Sequence, residues 1–345
     1  MQHALFRLCL IALVAGAQPA AAAEPQATLR GYDQALTGYA YPYEVKYLPL
    51  RVQEQDLRMA YMDVRPAKPN GETVLLLHGK NFSGAYWANS AARLSELGYR
   101  VLLPDQIGFG KSSKPTSLQY SFDLLASNTA RLLDALKVER AAVVGHSMGG
   151  MLAVRFATRY PGRTQKLVLV NPIGLEDYRR LLPYLGVDGW TEQAAKQTAA
   201  GVKQYMLESY FHGLWRPEYD ALLAIQTGFV VGPDRQALAR VSALTQDMIY
   251  TQPTVYDLPA IRAPTLLIIG QKDRTAPGKG DVPPALAKTL GDYVTLGEKA
   301  RAAIPRAELV KLEGVGHVPQ YEAFAPYMAA LERFLTAPLP RPADP

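Results

Sequence analysis

The chain is nearly devoid of cysteine, with one residue, Cys9, among 345. A lone thiol cannot close an internal disulfide, so no cross-linked framework holds this protein together. Only five histidines accompany it, scattered along the chain, which excludes a zinc-finger ligand set and implies neither a metal nor another cofactor. Basic blocks are also missing. Lys and Arg outnumber Asp and Glu by 37 to 31, a formal net charge of +6 spread along the whole length, and this leaves no nucleic-acid footprint. No apolar run approaches the roughly 20 residues that span a bilayer, and no repeat recurs at solenoid periods. What remains is an ordinary globular balance, 48% apolar and 20% charged, which excludes a disordered chain.

Residues 1–23 read as a secretory signal peptide. Arg7 provides the positive start, residues 8–17 an apolar stretch, and Ala21, Ala22 and Ala23 a small-residue cleavage site. The stretch is half as long as a membrane span requires, so cleavage is expected, with an uncleaved anchor as the alternative. Cys9 falls inside this segment, and a cysteine-free mature chain suits an oxidising compartment. The expectation is export, to the periplasm of a Gram-negative cell or otherwise to the medium, with no stable membrane insertion after cleavage. Residues 338–345, rich in proline, read as a flexible tail.

Between these ends, residues 45–53 and 57–64 carry β-favouring side chains around a polar turn. Short apolar runs follow at 73–77 (TVLLL), 100–103, 141–144 and 167–170, separated by helical stretches at 83–97, 122–136 and 148–160. The run at 73–77 has the pattern of a strand buried on both faces. Strands alternating with helices of this length require crossover connections and a parallel sheet. The alternation then stops. From 174 to 258 the patterns are helical and interrupted by Pro183, Gly213, Pro217 and Pro233, before strand patterns return at 265–269 (TLLII) and 309–312. This predicts a core from 24–173 and 259–337 and a helical lid over 174–258, set above the carboxyl edge of the sheet where open α/β folds bind ligands.

The chemistry gathers at strand ends. Gly145-His146-Ser147-Met148-Gly149 fits G-x-S-x-G between a strand and a helix, a turn tight enough to hold a serine hydroxyl up at the sheet edge. Serine needs a base, and the base an orienter. His317 follows the last strand and Asp273 the one before it, so both can reach that edge. An oxyanion needs donors fixed in advance. The backbone N–H groups of Met148 and Lys80 are the candidates, the latter in His78-Gly79-Lys80-Asn81 after the third strand. His78 and His146 read as bracing residues and His212 as a surface residue. The Lys80 ammonium either draws an anionic substrate or is simply solvated.

Five segments carry a resemblance: LLLHGKNFSGAYW (75–87), LLPDQIGFGKSS (102–113), VVGHSMGG (143–150), IIGQKDRTAP (268–277) and GVGHVPQYE (314–322). In this order they resemble the α/β-hydrolase fold superfamily, in its lidded serine-hydrolase branch of esterases, carbon–carbon bond hydrolases and proline iminopeptidases. The resemblance implies a mostly parallel eight-stranded sheet with helices on both faces, Ser147 as nucleophile, Asp273 as acid, His317 as base and the Lys80 and Met148 amides as oxyanion hole. Asp105 to Ser112 matches the D-x-x-G-x-G-x-S turn, which looks structural. Serine at the elbow argues against haloalkane dehalogenases and epoxide hydrolases, which carry aspartate there. Lys80-Asn81-Phe82 replaces the glycine-rich loop usual in carbon–carbon hydrolases.

The leading expectation is therefore a carboxylesterase-like serine hydrolase acting through an acyl-enzyme. A carbon–carbon hydrolase, an amidase or iminopeptidase, and a ligand receptor that keeps the fold remain alternatives. Aromatic residues in the lid, including Trp190, Tyr205, Tyr210 and Phe229, favour a small-molecule substrate with an apolar or aromatic acyl group. Residues 274–304 form a longer stretch than the pattern requires, with no role readable from the sequence.

Overall fold

The computed structural model describes residues 29–339; residues 1–23, read as a signal peptide, and most of the 338–345 tail lie outside them. Eight strands form one sheet: β1 (Val45–Val52), β2 (Gln55–Val64), β3 (Thr73–Leu77), β4 (Arg100–Pro104), β5 (Ala141–His146), β6 (Thr164–Val170), β7 (Thr265–Gly270) and β8 (Ala307–Leu312). Their order is β1-β2-β4-β3-β5-β6-β7-β8. Only β2 runs antiparallel, to β1 and to β4. The expected mostly parallel eight-stranded sheet is what folds.

Alternation decides which way each strand faces. Leu75, Leu77, Val143, Leu167, Leu169, Leu267 and Ile269 join one buried cluster. Val74, Leu76, Val144, Val168, Val170, Leu266 and Ile268 join the cluster on the opposite face. Helices α2 (Phe122–Ala135), α3 (Met148–Arg159) and α9 (Tyr293–Ala303) supply the first layer, α1 (Ala88–Glu96) and α11 (Phe324–Thr336) the second. With both faces covered, β3, β5 and β7 are buried at every position, which is why they read as unbroken apolar runs.

Two local expectations shift. The first helical stretch opens as a single 3-10 turn at Gly84–Trp87, capped by the Ser83 hydroxyl, before α1 begins. The β1–β2 turn is only two residues long, and Gln53 and Glu54 take it at φ +46° and +63° without glycine. Strand β2 accordingly starts at Gln55, earlier than its apolar pattern suggested.

Between β6 and β7 stand four helices: α4 (Gly186–Lys196), α5 (Ala199–Ser209), α6 (Asp220–Val231) and α7 (Arg235–Thr251). Helix α4 packs along α7, and α5 on α6. The remaining short helices are α8 (Pro284–Ala287) and α10 (Pro319–Glu322).

The sheet order reverses between β3 and β5, and such a switch point leaves a crevice at the carboxyl ends. Helix α3 leaves β5 there almost without clearance. A Cβ on Gly149 would lie 2.2 Å from the Leu77 carbonyl oxygen, whereas one on Gly162 would meet nothing within 4 Å. Gly149→Ala is therefore expected to destabilise by about 1–3 kcal/mol or more through overpacking, and Gly162→Ala to be neutral or slightly stabilising. Thermal melts of the two variants check this contrast.

Candidate active site

Ser147 sits between β5 and α3 at φ +56°, ψ −121°, a backbone conformation that L-residues adopt only when the surroundings hold it. The surroundings do. The Ser147 N–H donates to Val170 O at 3.2 Å, and its carbonyl accepts from Gly150 at 2.9 Å and Ile173 at 3.2 Å. The strained turn is thus tied to the end of β6. The hydroxyl lines a cavity of about 220 Å³ shared by Lys80, Tyr205, Tyr210, Gln226, Ser242 and Gln246, among others.

His317 and Asp273 meet below this turn. The imidazole Nδ1–H donates to Asp273 Oδ2 at 2.7 Å, and both side chains are fully buried. Asp273 also accepts from the Asn171 amide at 2.7 Å and from the Thr275 N–H at 2.8 Å, so its position and orientation are fixed by three donors. With the proton on Nδ1, His317 presents a lone pair at Nε2. This atom is buried and has no hydrogen-bond partner among the described residues. No bond to Ser147 Oγ closes here, and such a contact commonly tightens only around substrate.

The loop after β3 completes the arrangement. Phe82 N–H donates to Gly79 O at 3.1 Å, a β-turn with Lys80 and Asn81 at its centre. Neither the Lys80 nor the Met148 N–H donates to any group among the described residues. A Cβ on Gly79 would stand 3.1 Å from Ser147 Cβ, so the backbone leading into Lys80 passes close to the Ser147 side chain. The Lys80 side chain is half-buried rather than freely solvated. Its ammonium donates to Ser242 O at 3.1 Å and Ser242 Oγ at 3.0 Å on α7, and burial pushes it down to about 8.

Several residues do more than their sequence positions announced. His78 braces as expected: Nδ1–H donates to Gly79 O at 2.8 Å and Nε2 accepts from Gln106 N at 3.0 Å. His146 goes further. Its Nε2–H donates to His317 O at 2.7 Å while Nδ1 accepts from the Tyr86 hydroxyl at 2.9 Å, which itself accepts from Gly79 N at 3.3 Å. One buried imidazole, held well below its usual range by burial, bridges the loops of Gly79, Ser147 and His317. Tyr210, directly after α5, makes a parallel link: its carbonyl accepts from His317 N at 2.8 Å, and its hydroxyl from the Asn81 amide at 2.8 Å. Asn171 lies in none of the five segments and Glu322 closes the last of them without an assigned role, so only their neighbourhood in space reveals what they do. His212 is partly exposed, 3.9 Å from Glu322.

Asp105 accepts from Tyr41 Oη at 2.6 Å, Gly84 N at 2.7 Å and Lys111 N at 2.7 Å, so the turn it opens is structural. The stretch 274–304 resolves into two parts. Helix α9 is the crossover to β8, and Thr275, Pro277, Gly278 and Asp281 line the cavity that holds Ser147. Of the aromatic residues between 174 and 258, Trp190, Tyr205 and Tyr210 line this cavity. Others pack together, as in the Phe211–Tyr219 stack at 4.0 Å. Among the described residues no group of His, Cys, Asp or Glu is placed to hold a metal ion, and no helix is long and apolar enough to cross a membrane.

With this geometry in view, the comparisons agree on the class. Residues 72–324 match the model of the alpha/beta hydrolase fold, and the chain belongs to that family. It is a hydrolase by that membership and by its relatives. A probable hydrolytic enzyme from Pseudomonas aeruginosa PAO1 is 48% identical, with a TM-score of 0.88 over 90% of this chain and 99% of that one. The 2-hydroxy-6-oxononadienedioate/2-hydroxy-6-oxononatrienedioate hydrolase of Paraburkholderia phymatum is 29% identical over 80% of this chain and 90% of its own length. A match to the 2-hydroxy-6-oxo-2,4-heptadienoate hydrolase of Pseudomonas putida strain F1 is 37% identical but spans only 39% of that protein.

Glu322 yields a test of the loop that carries His317. Its two carboxylate oxygens accept the N–H groups on either side, from Gly316 at 2.8 Å and Val318 at 2.9 Å. Burial pushes this carboxyl up to about 7, from an ordinary 4.5, despite those two bonds. A raised acid takes up a proton on folding, so its contribution is full below pH 4.5 and lost as pH rises to 7. The melting temperature of the wild type minus that of Glu322→Gln is expected to fall across this window and level off above it. Melts from pH 4 to 9 measure the difference; a flat one would contradict the assignment.

Proposed function

We propose that the protein is a serine hydrolase that cleaves carboxylic esters through an acyl-enzyme. The observation that carries this reading is the joint geometry of Ser147, the two free amides beside it, and His317 oriented by Asp273. Ser147 Oγ attacks the substrate carbonyl and passes its proton to His317 Nε2. Asp273 keeps the imidazole in the right tautomer and steadies the imidazolium. The tetrahedral oxyanion sits against the N–H groups of Lys80 and Met148. His317 then protonates the departing alkoxide, and water, deprotonated by the same base, releases the acid.

A second reading is favoured by the relatives. The Paraburkholderia and Pseudomonas putida proteins are named as hydrolases of 2-hydroxy-6-oxo acids, which break a carbon–carbon bond. The bulkier Lys80-Asn81-Phe82 loop supports the ester over that substrate. The aromatic and amide lining of the cavity supports a small acyl group with apolar and polar parts. Residues 1–23 support export.

Assays of p-nitrophenyl esters of graded acyl length, beside aminoacyl anilides and a vinylogous diketone, decide among these chemistries. Turnover of esters with covalent fluorophosphonate labelling of the wild type and not of Ser147→Ala is expected. Diketone cleavage without ester cleavage would select the carbon–carbon reading, and absence of any label would sink both.

Asp273→Asn removes the acceptor that fixes the tautomer, and kcat is expected to fall about 10⁴-fold. Lys80 stands at the second position of its β-turn, where proline fits. Lys80→Pro is therefore expected to keep the turn yet lose one oxyanion donor, lowering kcat on a neutral ester about 10²–10³-fold below that of Lys80→Ala. Steady-state kinetics on both variants isolates the amide from the side chain.

A further inference from the structure

A second compartment opens off the cavity that holds Ser147. Lys80, Asn81, Gln226 and Ser242 line both, and beyond them the second continues over Phe109, Phe229, Leu238 and Val241 to Arg235. Its lining contains two cations, Lys80 and Arg235, and no aspartate or glutamate. Buried Lys114 and Lys166 likewise bond only to backbone carbonyls, but the other part-buried arginines have acidic partners. Arg100 is bonded to Asp63, and Arg155 to Asp123 and Asp257.

Neither cation is neutralised by its surroundings. The Lys80 ammonium holds only the carbonyl and hydroxyl of Ser242, leaving one of its three N–H groups uncommitted. Arg235 uses Nη2 on the carbonyls of Ala195 and Gln197, while its Nε is a buried donor without a partner. Among the described residues no carboxylate lies within 4.0 Å of either group. A cation partly withdrawn from water without a counter-charge is costly, and burial depresses the Lys80 ammonium, with no acidic neighbour to restore it.

Helix geometry relates the two charges. Arg235 and Ser242 are seven residues apart on α7, two turns along one face and about 10 Å in rise. The compartment thus runs along α7 from Ser242, which holds the Lys80 ammonium, to the Arg235 guanidinium, with apolar walls between. An acyl chain anchored at Ser147 that follows this path passes Lys80 first and ends at Arg235.

We propose that this compartment is a carboxylate subsite, and that the substrates are monoesters of dicarboxylic acids whose free carboxylate is held by the Arg235 guanidinium in the field of Lys80. The inference rests on the serine-hydrolase reading above for its reaction and on the unpaired cations for its ligand. The methylene chain takes the apolar walls, and the distal carboxylate supplies the missing counter-charge.

The test compares p-nitrophenyl monoesters of adipic, suberic and sebacic acid with the p-nitrophenyl esters of hexanoic, octanoic and decanoic acid. A charge-assisted hydrogen bond contributes enough that the acid ester is expected to exceed its neutral counterpart about ten- to hundredfold in kcat/KM at one or more lengths. In Arg235→Gln this ratio is expected to fall toward one, and in Arg235→Lys to recover in part. A wild-type ratio of one or less at every length would overturn the subsite, as would a ratio unchanged in a folded Arg235→Gln.

Calorimetry of suberate binding to Ser147→Ala, with and without Arg235→Gln, reads the subsite independently of turnover. Binding that is lost with Arg235 upholds it even if no ester is cleaved, an outcome that would count against the esterase reading alone. No binding to Ser147→Ala rejects the subsite even if neutral esters are cleaved.

Discussion

The constraint on which the rest depends is the absence of space where α3 leaves β5. A Cβ on Gly145 would fall 2.1 Å from the Gly149 carbonyl oxygen, and one on Gly150 would fall 2.4 Å from Pro172 Cβ. Only because these positions lack side chains can the helix start directly over the sheet, and only then is Ser147 forced into its strained turn. The same closeness brings the end of β3 under the helix, so that the Gly79–Lys80 backbone runs past the serine. Strain at one residue is offset by three hydrogen bonds that hold it, to Val170 at the end of β6, Ile173 just beyond it and Gly150 in α3.

Around that turn the loops are fastened to one another rather than merely placed side by side. His146 is the centre of this fastening, because its two nitrogens bond in opposite directions, to the carbonyl of His317 and the hydroxyl of Tyr86. Being neutral, it can donate on one side and accept on the other, which a charged imidazole cannot. Glu322 clamps the amides on both sides of His317, and Asn171 holds the carboxylate that orients it while accepting from Gly270 N at 2.9 Å. None of these three groups faces the substrate as a reacting atom. They reduce the freedom of those proposed to react, which is where positional precision at an active site originates.

Much of the fold is legible in the sequence because it is set by short-range rules. Runs such as TVLLL and TLLII can lie only between two covered faces, and the G-x-S-x-G turn announces a strand before it and a helix after it. The three strand-end residues Ser147, Asp273 and His317 were readable for the same reason: each follows an apolar run at the sheet's carboxyl edge. What escaped depends on distance in space. Asn171 and Asp273 are 102 positions apart, His146 and His317 171 apart, and no periodicity links them. The Lys80 side chain shows the limit best. Its sequence neighbours offer solvent or an anionic ligand, and only α7, more than 150 residues on, reveals the hydroxyl and carbonyl it meets.

Lys80 also joins two functions that a sequence treats separately. Its amide is the proposed oxyanion donor, while its ammonium is bonded to α7, and its neighbour Asn81 is bonded to Tyr210 after α5. The helical segment over the cavity is therefore fastened to the loop that shapes the oxyanion hole, and through the Tyr210 carbonyl to His317 as well. Outward movement of α5 or α7 must break these bonds and loosen both the amide and the base. An acyl chain that lies along α7 and meets Arg235 works in the other direction, since it adds contacts that hold the segment down. Substrate binding at the far end and geometry at the carbonyl are then coupled through one short loop. On this account, contacts remote from the reacting carbon register in kcat as well as in KM.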